Sequence, residues 1–201
     1  MSGKPSVVVV NGSSRSPSRT GALLNLLATE IAAKVDVDVQ VVSIAAIGNH
    51  FGTEFKVAEL APELQRAIHH IESADLIVAG SPIYRASYSG LFKHLFDLVD
   101  RESLKGTPIL LAATGGTPLH GLALDTQFRA LFAFFQALTL PQSVYALDVD
   151  FNGHQLVTEA LLERAWAAAA LAADHLVNTQ GAQTRPTASP AAQQQAAEPV
   201  L

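Results

Sequence analysis

Short apolar runs alternate along this chain with stretches in which apolar residues recur at helical spacing. Five runs of aliphatic and β-branched residues predict strands at 6–10, 37–44, 75–79, 108–113 and 143–147. Helical spacing predicts helices at 20–34, 59–71, 88–99, 119–138 and 157–177. The strands are apolar throughout rather than alternating, which is typical of a parallel sheet covered on both faces. Five successive strand–helix units therefore predict an α/β domain.

Polar segments follow three of these strands, at residues 11–20, 81–89 and 114–117. In open parallel sheets, ligands bind beyond the carboxyl ends of the strands, where the strand order reverses. A five-stranded parallel sheet of order 2-1-3-4-5 with helices on both faces would bring the three segments together. We predict this three-layer topology, with the ligand at the three loops.

Composition changes this picture mainly at the carboxyl end. Residues 180–201 hold six Ala, five Gln and three Pro, and none of them is aromatic. We therefore predict one folded domain at 1–179 and a disordered, low-complexity tail at 180–201. A docking segment for a partner is the alternative interpretation of the tail.

Charge, cysteine content and hydropathy exclude several functional classes. The 201 residues include no Cys, which excludes thiolate metal sites, iron–sulfur clusters and thiol redox catalysis. The formal net charge is −5 and no basic patch stands out, which argues against a nucleic-acid binder. No run reaches the roughly 18 apolar residues of a membrane span, and the polar first five residues do not resemble a signal peptide. We expect a soluble cytoplasmic protein with no membrane or nucleic-acid partner.

The first loop carries the residue types of a phosphate site: Ser13, Arg15, Ser18, Arg19 and Thr20. Hydroxyls, guanidinium groups and the N-terminus of the following helix are all suited to an anion. The loop lacks the Gly-Lys-Ser/Thr ending of an ATP-binding P-loop, and it is not a GxGxxG dinucleotide motif. It suits a single terminal phosphate, as on a mononucleotide. The alternative is a solvated loop in which Ser18 or Thr20 caps the helix.

The second and third loops suit a planar ring. Pro82, Ile83 and Tyr84 offer apolar and flat surface to such a ligand. Thr114, Gly115 and Gly116 offer backbone N–H donors and allow a close approach. Both segments could equally be ordinary structure, as a cover for the sheet end and as a glycine turn.

The remaining polar residues predict no other site. The histidines show no metal-ligand spacing with carboxylates, so we expect no metal, and no Ser lies in a GxSxG motif. His120 is the histidine of most interest, because it lies just after the glycine turn.

Three segments together resemble the NADPH-dependent FMN reductase family. They are GSSRSPSRT at 12–20, SPIYRASYSGLFKHLFDLVD at 81–100 and LLAATGGT at 110–117. Within the family they are similar to the flavin reductases of two-component alkanesulfonate monooxygenase systems. The segment FFQALTLPQSVYA at 134–146 looks closest to the methanesulfonate-linked branch. The resemblance covers roughly residues 6–177 and leaves out the tail.

The resemblance implies a flavodoxin-like fold and transfer of a hydride from NADPH or NADH to FMN. The reduced flavin would pass to a flavin-dependent monooxygenase that cleaves a carbon–sulfur bond. Carried over by position, the first-loop residues named above would hold the FMN phosphate. Pro82, Ile83 and Tyr84 would line the isoalloxazine ring, and Thr114, Gly115, Gly116 and His120 would lie near its polar edge. Hydride would pass directly between the two bound molecules, with no catalytic side chain.

The resemblance also concerns assembly. The family forms homodimers and homotetramers, and a helix similar to the one predicted from residue 119 lies at its tetramer interface. In the alkanesulfonate-linked enzymes this helix carries an inserted Tyr in a π-bulge, and the methanesulfonate branch has His there. The matching residue in this chain is Thr126.

Two other functions are compatible with the same loops. One is a quinone or azo reductase that keeps FMN bound. The other is a flavodoxin-type electron carrier without a nicotinamide site. The choice between NADH and NADPH stays open, with Arg85 as a candidate partner for a 2′-phosphate.

Overall fold

The computed structural model describes residues 4–53 and 56–183. Four parallel strands form most of the sheet, with β2 at one edge: β1 (Ser6–Asn11), β2 (Asp38–Ser43), β3 (Leu76–Pro82) and β4 (Pro108–Gly115). Two short strands, β5 (Leu138–Thr139) and β6 (Val144–Leu147), both pair with β4 at the far edge. The order β2-β1-β3-β4-β5 confirms the predicted topology.

Six α-helices accompany the sheet in the described part of the chain. They are α1 (Arg19–Ala32), α2 (Ile44–Ile47), α3 (Pro62–Glu72), α4 (Gly90–Asp97), α5 (Arg129–Phe134) and α6 (Glu159–Gln183). Helices α1 and α6 pack on one face of the sheet, and α3, α4 and α5 contribute to the apolar cluster on the other. The final helix thus runs past residue 179, where the predicted domain ended, and the rest of the predicted tail lies outside the described residues. No helix among residues 4–53 and 56–183 is long and apolar enough to cross a membrane.

Strand β1 shows why the strands are apolar throughout. Val7 and Val9 belong to the cluster with α1 and α6, whereas Val8 and Val10 belong to the opposite cluster. All four are at most 1% exposed. Successive side chains point to opposite faces of a sheet, so a strand with helices on both sides must be apolar at every position.

The single helix predicted at 119–138 is wrong. The structure has a 3-10 turn at Pro118–Leu122, a π-helical turn at Leu124–Phe128 and then the short α5. Gln136 adopts a left-handed backbone conformation (φ 54°), which ends the helix. The N–H of Leu138 then donates to the carbonyl of Thr107 (2.9 Å), so this residue begins β5 instead of ending a helix.

Candidate functional site

The three loops meet in one cleft of about 530 Å³ at the carboxyl ends of the strands. Topology explains the meeting, because β1, β3 and β4 are neighbours in the sheet and end at the same edge. The lining residues are Ser13, Arg15, Pro17, Ser18, Arg19, Thr20, Pro82, Ile83, Tyr84, Thr114, Gly115, Gly116, Asp148, Gly153 and His154.

The first loop is folded by its own hydroxyl groups. The buried Ser13 accepts a hydrogen bond from the N–H of Arg15 and donates to the Arg15 carbonyl, each at 3.2 Å. Ser18 is the N-cap of α1, since its Oγ accepts from the N–H of Gly21 at 3.0 Å. This cap is one of the two alternatives that the sequence left open for the loop. A capping hydroxyl can still donate its proton to a ligand, so the cap and an anion site are compatible.

The two arginines of the first loop have different surroundings. Arg15 is exposed, and no carboxylate among the described residues lies within ion-pair distance of its guanidinium group. Arg19 Nη1 donates to Asp148 Oδ1 at 2.7 Å, and Arg19 Nε donates to the Gly153 carbonyl at 3.3 Å. Arg15 is therefore the cation that can give its full charge to an anion in the cleft.

Buried serines tie the second loop to the first. Ser89 Oγ donates to the Gly12 carbonyl at 2.7 Å, and the Ser89 N–H donates to Ser81 Oγ at 2.9 Å. Beyond them, the N–H groups and carbonyls of Tyr84 and Ser87 bond each other around a tight turn. Tyr84 lies at the rim of the cleft with 48% of its surface exposed, so its ring is accessible to a ligand.

A hydroxyl pair joins the first and third loops. Thr20 Oγ1 and Thr114 Oγ1 lie 2.7 Å apart, and either one can be the donor. The carbonyl of Thr114 also accepts from the N–H of Ile83 at 2.8 Å, which fixes the second loop beside the third. Thr114 thus makes hydrogen bonds to both of the other loops.

Tyr145 of β6 supports the third loop from outside the cleft. Its hydroxyl donates to the Thr117 carbonyl at 2.7 Å, and burial raises the pKa of the phenol above its ordinary value. A Cβ at position 115 would lie 2.3 Å from this hydroxyl oxygen, so the close approach requires Gly115. The tyrosine and the glycine together fix the path of the turn.

Replacing Tyr145 by phenylalanine should lower the free energy of unfolding by about 1 kcal/mol, because a half-buried hydrogen bond is lost and the ring is kept. Urea unfolding measures the change. The matched control is Tyr84→Phe, since no hydrogen bond of the Tyr84 hydroxyl to a described residue exists. Equal stability of the two variants would contradict the supporting role of Tyr145.

The cleft brings together eleven of the twelve residues singled out from the sequence. His120 is the exception: it lies in the 3-10 turn after the third loop and is not among the residues that line the cleft. In the described part of the chain, its Nδ1 is buried without a hydrogen-bond partner. Four lining residues were not predicted, namely Pro17, Asp148, Gly153 and His154.

Three of those four come from a segment that directly follows the edge strand β6. This segment is a 3-10 turn at Asp148–Asp150 followed by an antiparallel hairpin of β7 (Phe151–Asn152) and β8 (Gln155–Leu156). Strands of two residues carry no periodic signal, so the apolar pattern could not reveal them. No group of three or more potential metal ligands occurs among residues 4–53 and 56–183.

The π-helical turn lies where the sequence resemblance placed an inserted residue. Thr126 is at its centre, and Thr126 Oγ1 donates to the Leu122 carbonyl one turn earlier at 2.9 Å. The π-helical turn therefore forms with a threonine at position 126, and it does not need an aromatic side chain there.

Comparison with known proteins gives a consistent assignment. The family model described as NADPH-dependent FMN reductase matches residues 5–152. "NADH-dependent FMN reductase SfnF" of Pseudomonas putida is 50% identical over 159 residues, which cover 79% of this chain and 86% of the relative. An "FMN reductase (NADPH)" of Pseudomonas aeruginosa is 47% identical over 167 residues, covering 83% and 90%. Among solved structures, an oxidoreductase of Corynebacterium diphtheriae superposes with a TM-score of 0.79 at 26% identity, covering 88% of this chain and 99% of the other.

Proposed function

Since this chain belongs to the NADPH-dependent FMN reductase family, we propose that FMN binds in the cleft at the carboxyl ends of its strands. The protein is an NAD(P)H:FMN oxidoreductase with a flavodoxin-like fold. The observation that carries the proposed binding site is the convergence of all three family-like loops on one cleft.

The first loop is the proposed phosphate site. Ser18 and Thr20 supply hydroxyl donors, Ser13 folds the loop around the proposed phosphate position, and the N-terminus of α1 faces the same cleft. The free guanidinium of Arg15 supplies a charge-assisted donor. A helix N-terminus with arginine and hydroxyl groups is chemically suited to a terminal phosphate.

The second and third loops are the proposed ring site. Pro82, Ile83 and Tyr84 form an apolar wall, and Gly115 and Gly116 leave backbone open to the cleft. Backbone N–H groups near a ring that gains electrons stabilise the reduced form electrostatically.

The reaction places few demands on the side chains. When both substrates are bound, FMN would supply the hydride acceptor, N5, and the nicotinamide ring the donor, C4. The chain holds the phosphate at the first loop, orients the ring by the fixed second and third loops, and keeps the two reactants together. The hydrogen bonds from Ser89 to the first loop and from Ile83 to the third prevent the walls from moving independently.

We propose that the reduced flavin is then delivered to a partner monooxygenase acting on an organosulfur compound such as a sulfonate. This rests on the resemblance of the three loops and on the relatives named as FMN reductases. The relatives named above differ in nucleotide, one being called NADH-dependent and the other NADPH-dependent. Both nucleotides therefore belong in any assay of this chain.

A homodimer or homotetramer is the proposed assembly. Leu119, Leu122 and Phe134 are 81%, 68% and 63% exposed, and all three lie on the segment that includes the π-helical turn. Exposed apolar side chains concentrated on one segment are typical of an interface. Light scattering after gel filtration should give a mass of two or four chains, and a monomer would contradict this assembly.

The assay that tests the function follows NADH and NADPH oxidation by the full chain with and without added FMN. We expect the rate to rise with FMN concentration and to saturate, because FMN is consumed as a substrate. A chain that purifies colourless and oxidises neither nucleotide faster with FMN would contradict the proposal. A chain that purifies with bound flavin and reduces a quinone without added FMN would indicate a quinone reductase instead.

A further inference from the structure

The cleft contains a carboxylate that an anion site does not need. Its lining residues with a formal charge are Arg15, Arg19 and Asp148. Asp148 Oδ1 lies 2.7 Å from Arg19 Nη1, and the two side chains are 59% and 41% exposed. The carboxylate brings the formal charge of the lining from +2 to +1, although the proposed ligand ends in a phosphate.

Asp148 does not block Arg19 sterically. A guanidinium group has five N–H donors. Arg19 uses one on Asp148 and one on the Gly153 carbonyl, and its charge lies 5.9 Å from the centre of the Phe151 ring. The remaining donors can still reach a ligand, so the effect of Asp148 on an anion is one of charge.

The hairpin segment is held in place without Asp148. Asp150 Oδ2 accepts from the Leu147 N–H at 2.7 Å, and the Asp150 carbonyl accepts from the Val157 N–H at 2.9 Å. The side chain of Phe151 is buried in the cluster with α1 and α6. These contacts anchor the segment at both ends, so a structural role does not account for Asp148.

We propose that Asp148 is an affinity-setting residue, which weakens the binding of FMN so that the flavin leaves the cleft between turnovers. It acts by neutralising part of the Arg19 charge and by repelling the phosphate directly. The inference rests on the proposed function, because it assumes that the phosphate lies at the first loop. For an enzyme that hands its product to a partner, fast release of the flavin is an advantage.

The test is Asp148→Asn, since an amide oxygen can still accept from Arg19 while the negative charge is removed. We expect the dissociation constant for FMN to fall roughly fivefold, as for an exposed charge interaction. The dissociation rate should fall by a similar factor, and added salt should reduce the difference. The affinity for riboflavin, which lacks the phosphate, should not change.

The control is Asp36→Asn. Asp36 makes an ion pair of the same 2.7 Å length with Lys4, ahead of β2 and away from the cleft. This variant should bind FMN as the unmodified chain does. If it gained affinity like Asp148→Asn, the change would come from net charge alone and the inference would be overturned.

The other outcomes are also decisive. An unchanged or raised FMN dissociation constant in Asp148→Asn, with normal binding by the unmodified chain, overturns the inference and leaves the proposed function intact. Equal tightening for riboflavin overturns it as well, because the phosphate would not be involved. Failure of the unmodified chain to bind FMN overturns the proposed function itself. Asp148→Ser repeats the test should the first variant fold poorly.

Discussion

Replacing Arg15 by alanine should weaken FMN binding by about ten- to a hundredfold, the range of one charge-assisted hydrogen bond. Arg15 lines the cleft at the first loop, and no described carboxylate shares its charge. Arg19 cannot fully compensate, because it is already paired with Asp148. Titration of the chain with FMN, followed by flavin fluorescence, measures the loss.

Two comparisons make this experiment specific. Riboflavin should bind the variant and the unmodified chain equally, because the lost contact is to the phosphate. Arg66→Ala is the matched protein control, since Arg66 pairs with Glu63 on α3 and does not line the cleft. Unchanged FMN affinity in Arg15→Ala would refute the phosphate assignment of the first loop.

Replacing Gly80 by alanine should lower the free energy of unfolding by about 2–3 kcal/mol, the typical effect of overpacking a core. A Cβ at this position in β3 would lie 2.7 Å from Leu24 Cδ2 and 2.9 Å from the Ala112 carbonyl oxygen. The leucine side chain can turn away, but the carbonyl belongs to the central strand β4. Strand β3 would therefore have to shift away from its neighbour β4. Urea unfolding of the full chain measures the effect.

Gly90→Ala is the control for this variant. A Cβ at Gly90, the first residue of α4, would point into open space in the part of the chain that the structure describes. Alanine also has the higher helix propensity, so stability should be unchanged or slightly raised. A Gly80→Ala protein as stable as Gly90→Ala would show that the sheet accommodates the methyl group.

The sequence predicted the central sheet well because burial on both faces leaves a strong signal. Short runs of β-branched residues such as Val7–Val10 favour strands between two helical layers, and topology then places their loops together. The eleven predicted residues among those that line the cleft were found for this reason: they lie in the loops that follow such runs. Their contacts with FMN stay a prediction.

The elements that the sequence did not predict have a weak or ambiguous pattern of apolar residues. Apolar residues continue at helical spacing from Leu119 to Leu138, and nothing in that spacing shows a π-helical turn or the left-handed Gln136. Asp148 and His154 lie on a 3-10 turn and a hairpin too short to be periodic. Their position in the cleft depends on tertiary contacts, such as the packing of Phe151 in the cluster with α1 and α6.

The hydroxyl pair of Thr20 and Thr114 can change the direction of its dipoles to suit the charge of a ligand in the cleft. Each hydroxyl has one proton, so when one donates within the pair, the proton of the other is left for another acceptor. Reversing the pair transfers the available proton from one loop to the other while every heavy atom stays in place. The wall can thus reorient its dipoles between ligands of different charge without the cost of moving the backbone.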